Sequence, residues 1–233
     1  DAAEKILREI KPKGIIFLGG SVANFQNGFS SISVPAVLAT LVSDELHFPN
    51  LSMVGVDDRA AAHTAVAHLI AQGHSKIAVL GGPATSFPSR MRRLGAQDAM
   101  EQAGLTFDDR LYGLSNYDFE SAYHAMNSLL ARRAEFTALF AMSDVIAFGA
   151  IRALVSAGFR VPQDVSVIGF DGITMSRYCV PVMTTIVQPS EQIALQSIEL
   201  LINQIEHGVP AQTITLQPEL QQGESVCPCR HPL

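Results

Sequence analysis

The sequence alternates short apolar runs rich in β-branched residues with longer stretches in which apolar residues recur at three- and four-residue spacing. This alternation is typical of repeated strand–helix–strand units and predicts a mainly parallel sheet. Several strand runs are apolar throughout, as expected for strands covered on both faces by helices. We therefore expect an α/β fold. The predicted strands are residues 14–18, 36–39, 53–56, 76–80, 111–114, 138–142, 165–170 and 184–187, and the predicted helices are residues 60–71, 92–103, 119–131, 144–157 and 191–206.

The start of the chain departs from this pattern, because a helical stretch over residues 2–10 leads directly into the first predicted strand. An open parallel sheet built from strand–helix units normally begins with a strand. We therefore expect that further residues precede this sequence in the complete protein.

Composition and charge exclude several classes of protein. The chain is 48% hydrophobic and 16% charged, unlike the polar, highly charged composition of disordered chains. No uncharged apolar run approaches the roughly 20 residues that a membrane-spanning helix needs. The net charge of −6 has the wrong sign for a surface that binds a phosphate backbone. We expect a folded protein that contains no membrane segment and does not bind DNA by itself.

The residues that usually carry metal or catalytic chemistry do not form a recognisable site. The three cysteines are too few for a disulfide framework, which fits a reducing cytoplasm. Cys227 and Cys229 could bind a metal or oxidise, but no second Cys/His pair lies near them in sequence, so we interpret them as part of a structural tail. Neither a phosphate-binding glycine loop nor a nucleophile elbow is present. We expect no metal, no cofactor and no enzymatic activity.

Eight short phrases, taken in order and spacing, resemble the effector-binding core of the LacI/GalR family of bacterial transcription regulators. Each phrase alone is weak, but the ordered set is specific, and the resemblance covers residues 14–224. The phrases are AHLI at 67–70, GHSKIA at 73–78, GGP at 81–83, RMRRLG at 90–95, TALFAMSD at 137–144, AFGA at 147–150, VPQDVSVIGFD at 161–171 and PVMTTIVQP at 181–189.

The resemblance implies a two-lobed, periplasmic-binding-protein-like fold of type I, with a small ligand held in a cleft between two α/β lobes. The chain would cross between lobes near residues 56–58, 188 and 212–217. The first lobe would comprise residues 1–56 and 189–212, lacking its opening strand and helix, and the second would comprise residues 57–188 and 213–233. The DNA-binding head of the family would lie outside this sequence.

The family also implies which residues bind the effector. Arg92 occupies the place of the family's ligand arginine, Asp171 that of its ligand aspartate, and Tyr117 that of an aromatic residue that stacks on the effector. A guanidinium offers a rigid set of donors, and a carboxylate accepts from two hydroxyls. On local pattern alone, Arg92 could instead belong to a solvated helix start, Asp171 to a turn, and Tyr117 to ordinary packing.

Three further candidates come from the resemblance. Ser143 stands where relatives commonly carry an asparagine, and Thr40 where some carry an aspartate, so both contacts would be shorter and uncharged. Gln188, at a lobe crossing, would touch the ligand, although it could merely satisfy strand backbone groups. Asp144, at the start of a predicted helix, is interpreted as structural, because a carboxylate there favours the positive end of the helix dipole.

The function implied is the effector-sensing part of a LacI-type regulator, most readily a repressor, that binds a sugar or a sugar derivative. Its other partners would be operator DNA, through the absent head, and a second copy of the chain. Phe148 and Ile151 are candidate dimer contacts, although they could equally be core residues. The alternative is a periplasmic sugar-binding protein of a transport system, and a third possibility, an α/β enzyme, has no assembled catalytic group to support it.

Overall fold

A computed structural model describes residues 8–229 of the chain. The strands are β1 (Ile15–Leu18), β2 (Ala36–Ala39), β3 (Leu51–Val56), β4 (Ile77–Gly81), β5 (Tyr112–Leu114), β6 (Ala138–Ala141), β7 (Ser166–Asp171), β8 (Thr184–Val187), β9 (Thr213–Leu216) and β10 (Glu219–Gln221). The α-helices are α1 (Val22–Gly28), α2 (Asp58–Ala71), α3 (Phe87–Gln102), α4 (Phe119–Ala131), α5 (Asp144–Ser156) and α6 (Ser190–His207). Short 3-10 turns occupy Phe29–Ser31, Asp109–Leu111 and Thr174–Arg177.

The chain divides into two compact units. The first unit is Asp1–Asp57 with Pro189–Gln217, and the second is Asp58–Gln188 with Pro218–Leu233. Each unit has its own sheet, and the α/β class that the sequence predicts is confirmed.

The first unit contains a four-stranded sheet in the order β1-β2-β3-β9, with every neighbouring pair parallel. Helix α6 packs on this sheet and buries its polar residue Gln204. The side-chain oxygen of Gln204 is satisfied there, because it accepts a hydrogen bond from the Ser52 hydroxyl at 3.1 Å. Apolar contacts supply the rest of the interface. The buried apolar residues of this layer are Val37, Ala39, Val54, Ile193 and Leu200.

The second unit contains a six-stranded sheet in the order β10-β8-β7-β6-β4-β5. The pairs from β8 to β5 are parallel, and only β10 is antiparallel to its neighbour. Strands β4 and β6 are buried at every position, which requires helices on both faces of the sheet. The helices pack in two pairs, α2 with α3 and α4 with α5.

The order of connections identifies one edge of this sheet as the natural place for a ligand. From β4 the chain passes through α3 to β5 on one side, and from β6 it passes through α5 to β7 on the other side. The loops that follow the adjacent strands β4 and β6 therefore turn away from each other at the carboxyl ends of these strands. Open α/β sheets bind ligands at such a switch point.

The structure corrects several boundaries that the sequence pattern predicts. Helix α3 begins at Phe87 rather than residue 92, because Ser86 caps it and Pro88 fits its first turn. Helix α1 and strands β9 and β10 were not predicted. Residues 213–217 belong to the first unit, because β9 pairs with β3, so the expected boundary after residue 212 is wrong. Of the helix predicted over residues 2–10, only residues 8–10 are described, and these are helical.

Candidate functional site

Arg92 lies at the carboxyl edge of the second unit's sheet because α3 packs very closely on α2. Gly95, one turn further along α3, makes this approach possible: a Cβ there would lie 2.0 Å from the carbonyl oxygen of Arg59. The close packing brings Arg92 beside Asp58, the first residue of α2. Arg92 is only 6% exposed, so the alternative of a solvated helix start is wrong for this residue.

The guanidinium of Arg92 is held on three sides. Its Nε donates to Oδ1 of Asp58 at 2.7 Å, and its Nη1 donates to the carbonyl oxygen of Met142, just after β6. Its centre lies 3.6 Å from the centroid of the Phe170 ring, a cation–π arrangement. Burial lowers the pKa of Arg92, but the negative charges of Asp58 and Asp171 outweigh burial and raise it overall. Arg92 is therefore a fixed, permanent cation.

Asp171 lies at the end of β7, beside this cation. Its Oδ1 is 3.6 Å from Nη1 of Arg92 and accepts a hydrogen bond from Nε2 of Gln188 at 2.7 Å. The backbone N–H of Gln188 also donates to the carbonyl oxygen of Asp171 at 3.1 Å. Burial raises the pKa of Asp171. The Arg92 charge and the Gln188 hydrogen bond oppose this shift, but the pKa stays above its ordinary value. The sequence-predicted residues Arg92, Asp171 and Gln188 thus meet in one place.

The backbone of Asp171 is strained. Its φ of +107° lies in a region that residues other than glycine rarely adopt, and it is followed by Gly172 at φ +70°. Such strain persists only when the surrounding contacts fix it, and it concentrates at functional sites. The strained turn directs the carboxylate toward Arg92 and leaves 28% of the side chain exposed.

Asp58, Arg92, Asp171 and Gln188 form what we name the polar cluster. Two of its atoms remain available: within the described residues, Nη2 of Arg92 and Oδ2 of Asp171 make no hydrogen bond. One is a donor and the other an acceptor, so together they match the mixed donor and acceptor character of hydroxyl groups. The single positive charge of Arg92 lies beside two carboxylates, those of Asp58 and Asp171.

Tyr117 lies at the same edge and is positioned by an unusual backbone. Its φ is +60°, and its ring covers Gly82, where a Cβ would lie 2.0 Å from the ring. One face of the ring is therefore occupied by Gly82. Its hydroxyl is buried and has no partner among the described residues.

Ser143 and Thr40 stand in different settings. Ser143 caps α5, because its hydroxyl oxygen accepts from the backbone N–H of Ile146 at 3.1 Å. Its neighbour Met142, rather than Ser143 itself, supplies the contact to Arg92. Thr40 belongs to the first unit, follows β2, is exposed and has φ +69°. The ligand role of Thr40 remains a prediction.

Sequence reasoning missed two participants, Asp58 and Phe170, which hold Arg92. It interpreted Asp144, a buried carboxylate behind Asp171, only as a structural residue at the start of a helix. The available signal was position alone, because Asp58 and Asp144 follow strands β3 and β6 after short intervals and so lie at the carboxyl edges of sheets.

The described residues contain no group of three or more side chains arranged to hold a metal ion. Within them, no helix is both long and apolar enough to cross a membrane.

The architecture and the polar cluster define a class: two α/β units, with charged and amide groups gathered at the carboxyl edge of one parallel sheet, as in proteins that bind small polar molecules. A family model described as a periplasmic binding protein-like domain matches residues 66–226, and the chain belongs to this family.

The relatives agree with the predicted resemblance to LacI/GalR regulators. The chain is 34% identical to the HTH-type transcriptional regulator MalR of Clostridium butyricum, over 94% of this chain and 66% of the relative. It is 38% identical to the HTH-type transcriptional repressor PurR of Haemophilus influenzae, over 76% of this chain and 55% of the relative. The chain thus spans less than two thirds of these curated relatives.

Solved structures agree as well. A transcriptional regulator CelR–cellobiose complex superposes with a TM-score of 0.87 at 28% identity, covering 96% of this chain and 69% of that one. A sugar-binding LacI-family regulator from Escherichia coli, in complex with phosphate, superposes with a TM-score of 0.82 at 29% identity, covering 98% and 82% of the two chains. The predicted LacI-type, periplasmic-binding-protein-like fold is confirmed.

Proposed function

We propose that this chain is the effector-sensing part of a LacI-type transcription regulator and that it binds a small, uncharged, hydroxyl-rich molecule such as a sugar or nucleoside. The observation that carries the proposal is the meeting of Arg92, Asp171 and Gln188 at the carboxyl edge of the second unit's sheet. A buried cation beside a strained, partly exposed carboxylate is suited to binding a ligand. Apolar residues of similar volume would stabilise the fold as well or better, so stability alone does not explain these charges.

The charge balance supports an uncharged ligand. Asp58 neutralises Arg92 through a hydrogen-bonded ion pair at 2.7 Å, and Asp171 adds a further negative charge. A phosphate group placed against Nη2 of Arg92 would meet the Asp171 carboxylate nearby, and like charges in a buried setting repel strongly. Hydroxyl groups can instead donate to Asp171 and accept from Arg92 at the same time. A neutral sugar is therefore preferred over its phosphate ester.

Tyr117, Ser143 and Gln188 complete the proposed ligand contacts in the second unit. The exposed part of the Tyr117 ring can lie against an apolar face of a sugar or base. The Ser143 oxygen retains one acceptor position beyond its capping bond and can also donate. Gln188 retains its amide oxygen. These roles extend the family resemblance to the residues present here.

A screen by thermal shift tests this proposal. Cellobiose, maltose, ribose and adenosine are compared with glucose 6-phosphate and ribose 5-phosphate, since a ligand at 100 times its Kd stabilises the native state by about 2.7 kcal/mol. We expect a neutral compound to raise the melting temperature, and the phosphate esters to have no effect. Stabilisation by the esters alone would contradict the charge argument, and no stabilisation by any neutral sugar or nucleoside would contradict the proposed ligand class.

We further propose that the complete protein regulates transcription and that its DNA contacts come from a region outside these 233 residues. The relatives named as HTH-type regulators support this, and the net charge of −6 fits a sensing part that does not itself hold DNA. The function is then regulatory rather than catalytic. Effector binding would change DNA affinity by a coupling free energy of about 1–3 kcal/mol, and DNA would change effector affinity by the same amount.

The regulator is proposed to act as a homodimer through the outer face of α4 and α5. On this face Phe119 is 51% exposed, and its ring lies 6.3 Å from that of the half-buried Phe148. An exposed aromatic ring beside a half-buried one on packed helices is suited to a protein interface. Ile151 is half-buried on the same helix as Phe148.

A further inference from the structure

Asp144 is a fully buried carboxylate that the ligand contacts do not explain. Its side chain lies at the amino end of α5, is 0% exposed, and contacts two other elements. Its Oδ1 accepts from the Thr185 hydroxyl on β8 at 2.6 Å, and its Oδ2 accepts from the backbone N–H of Ile173 at 2.8 Å. Interpretation as a helix-dipole residue accounts for its place on α5 but not for these two bonds.

The fold makes room for this carboxylate. A Cβ at Gly169, in the middle of β7, would lie 2.2 Å from Oδ1 of Asp144, so only glycine admits the side chain against the strand. Asp144 thereby reaches the turn that follows β7. That turn begins with Asp171 at φ +107° and continues through Gly172 to Ile173.

We propose that Asp144 is a positioning residue for Asp171: its carboxylate ties the backbone of the strained turn to β8 and so holds the ligand-binding carboxylate toward Arg92. This inference rests on the proposed function. Hydrogen bonds hold this turn at two places, one from the backbone N–H of Ile173 to Asp144 and one from the backbone N–H of Gln188 to the Asp171 carbonyl oxygen. Without the first bond, the turn after Asp171 loses an anchor to the buried Asp144 carboxylate.

The same contacts make the turn sensitive to pH. The titratable groups that face Asp144 among the described residues are Asp171 and Cys179, which lies in the loop before β8. Burial raises the pKa of Asp144 to about 6, and the Thr185 and Ile173 hydrogen bonds oppose that shift. Below this pH one oxygen becomes a hydroxyl, and the turn loses part of its anchor. The negative charge near Asp171 is removed in the same step.

The test uses the 233-residue chain with the substitutions Asp144→Asn and Asp144→Ala, and with Asp109→Asn as the matched control, because Asp109 is 80% exposed in the same unit. Asparagine keeps an acceptor for Ile173 but removes the charge, whereas alanine removes both. Amide exchange at Ile173 and the carbon-13 titration of the Asp171 carboxyl group are measured by NMR between pH 4.5 and 7.5.

We expect Asp144→Ala to speed exchange at Ile173 by about tenfold or more, the effect of losing a hydrogen bond to a charged acceptor, and Asp144→Asn to retain most of the protection. We also expect Asp144→Asn, but not Asp109→Asn, to lower the pKa of Asp171, because a nearby like charge is removed. A carboxylate without contact with the Asp171 turn, as at Asp109, would not change that titration.

The inference is overturned if Asp144→Ala leaves Ile173 protected or if Asp144→Asn leaves the Asp171 titration unchanged. Should Asp144→Ala fail to fold, the Asp171 titration in Asp144→Asn decides the inference. Neither readout needs a ligand. Failure of cellobiose, maltose, ribose or adenosine to bind wild type would count against the proposed function, while the NMR results decide the positioning role separately.

Discussion

Replacement of Arg92 by methionine tests the electrostatics of the site most sharply. The substitution keeps an apolar stem in a buried position but leaves the Asp58 carboxylate, whose side chain is 4% exposed, without its cation. Breaking a buried ion pair by removing one partner costs about 3–5 kcal/mol. The lost hydrogen bond to the Met142 carbonyl and the lost contact with Phe170 act in the same direction. The destabilisation by Arg92→Met at pH 7 should therefore be about 4 kcal/mol, in the middle of the range for a broken buried ion pair.

The matched control is Arg59→Met. Arg59 and Asp98 join the same two helices through an ion pair of 2.6 Å, but their side chains are 52% and 37% exposed. An exposed pair contributes about 0–1 kcal/mol, so the control should change stability little.

Urea unfolding followed by circular dichroism measures the free energies. Amide exchange in β6 identifies the transition of the second unit, because a chain with two units need not unfold in one step. A cost below about 1 kcal/mol for Arg92→Met at pH 7 would refute the reasoning.

Three further predictions follow from individual contacts. Gly95→Ala should destabilise the second unit by more than about 2 kcal/mol in urea unfolding, since the added Cβ would lie 2.0 Å from the Arg59 carbonyl oxygen; a change under about 0.5 kcal/mol would show that α2 and α3 separate freely. Asp144→Asn should gain stability relative to wild type as the pH rises from 4.5 to 7, on the order of 2 kcal/mol. The sign follows because burial raises the native-state pKa of Asp144 to about 6, so wild type loses stability as this group ionises and the asparagine variant does not. A difference that is constant with pH would contradict the raised pKa. Phe148→Glu should convert a dimer into a monomer in sedimentation experiments, and an unchanged molar mass would place the interface elsewhere.

The fold could be predicted largely from sequence because periodicity reports burial directly. The strands β2 and β8 were predicted residue for residue, since β2 is a short apolar run and β8 is a run of β-branched residues. Strand β9 was missed because its pattern of alternating exposed and half-buried positions lies in a polar region, and its place is fixed by pairing with β3 over 150 residues away. Such long-range pairing has no local signal.

The candidate site was predicted in part. The ordered motifs pointed to Arg92 and Asp171, and the structure brings them within 3.6 Å. No motif identified Asp58 as the partner of Arg92, because their contact depends on the close packing of two helices around Gly95. Likewise, the bond between Asp144 and Thr185 joins residues 41 positions apart and depends on the missing side chain of Gly169.

The most direct measurement of the proposed ligand site is a calorimetric titration with the first neutral sugar or nucleoside that stabilises the chain. It is carried out on wild type, on Asp171→Asn and on the control Asp109→Asn. Asparagine tolerates the positive φ of Asp171 but removes the charged acceptor, so affinity should fall by about 10- to 100-fold while the control binds as wild type does. Equal affinity for wild type and Asp171→Asn would contradict the assignment of the polar cluster as the ligand site.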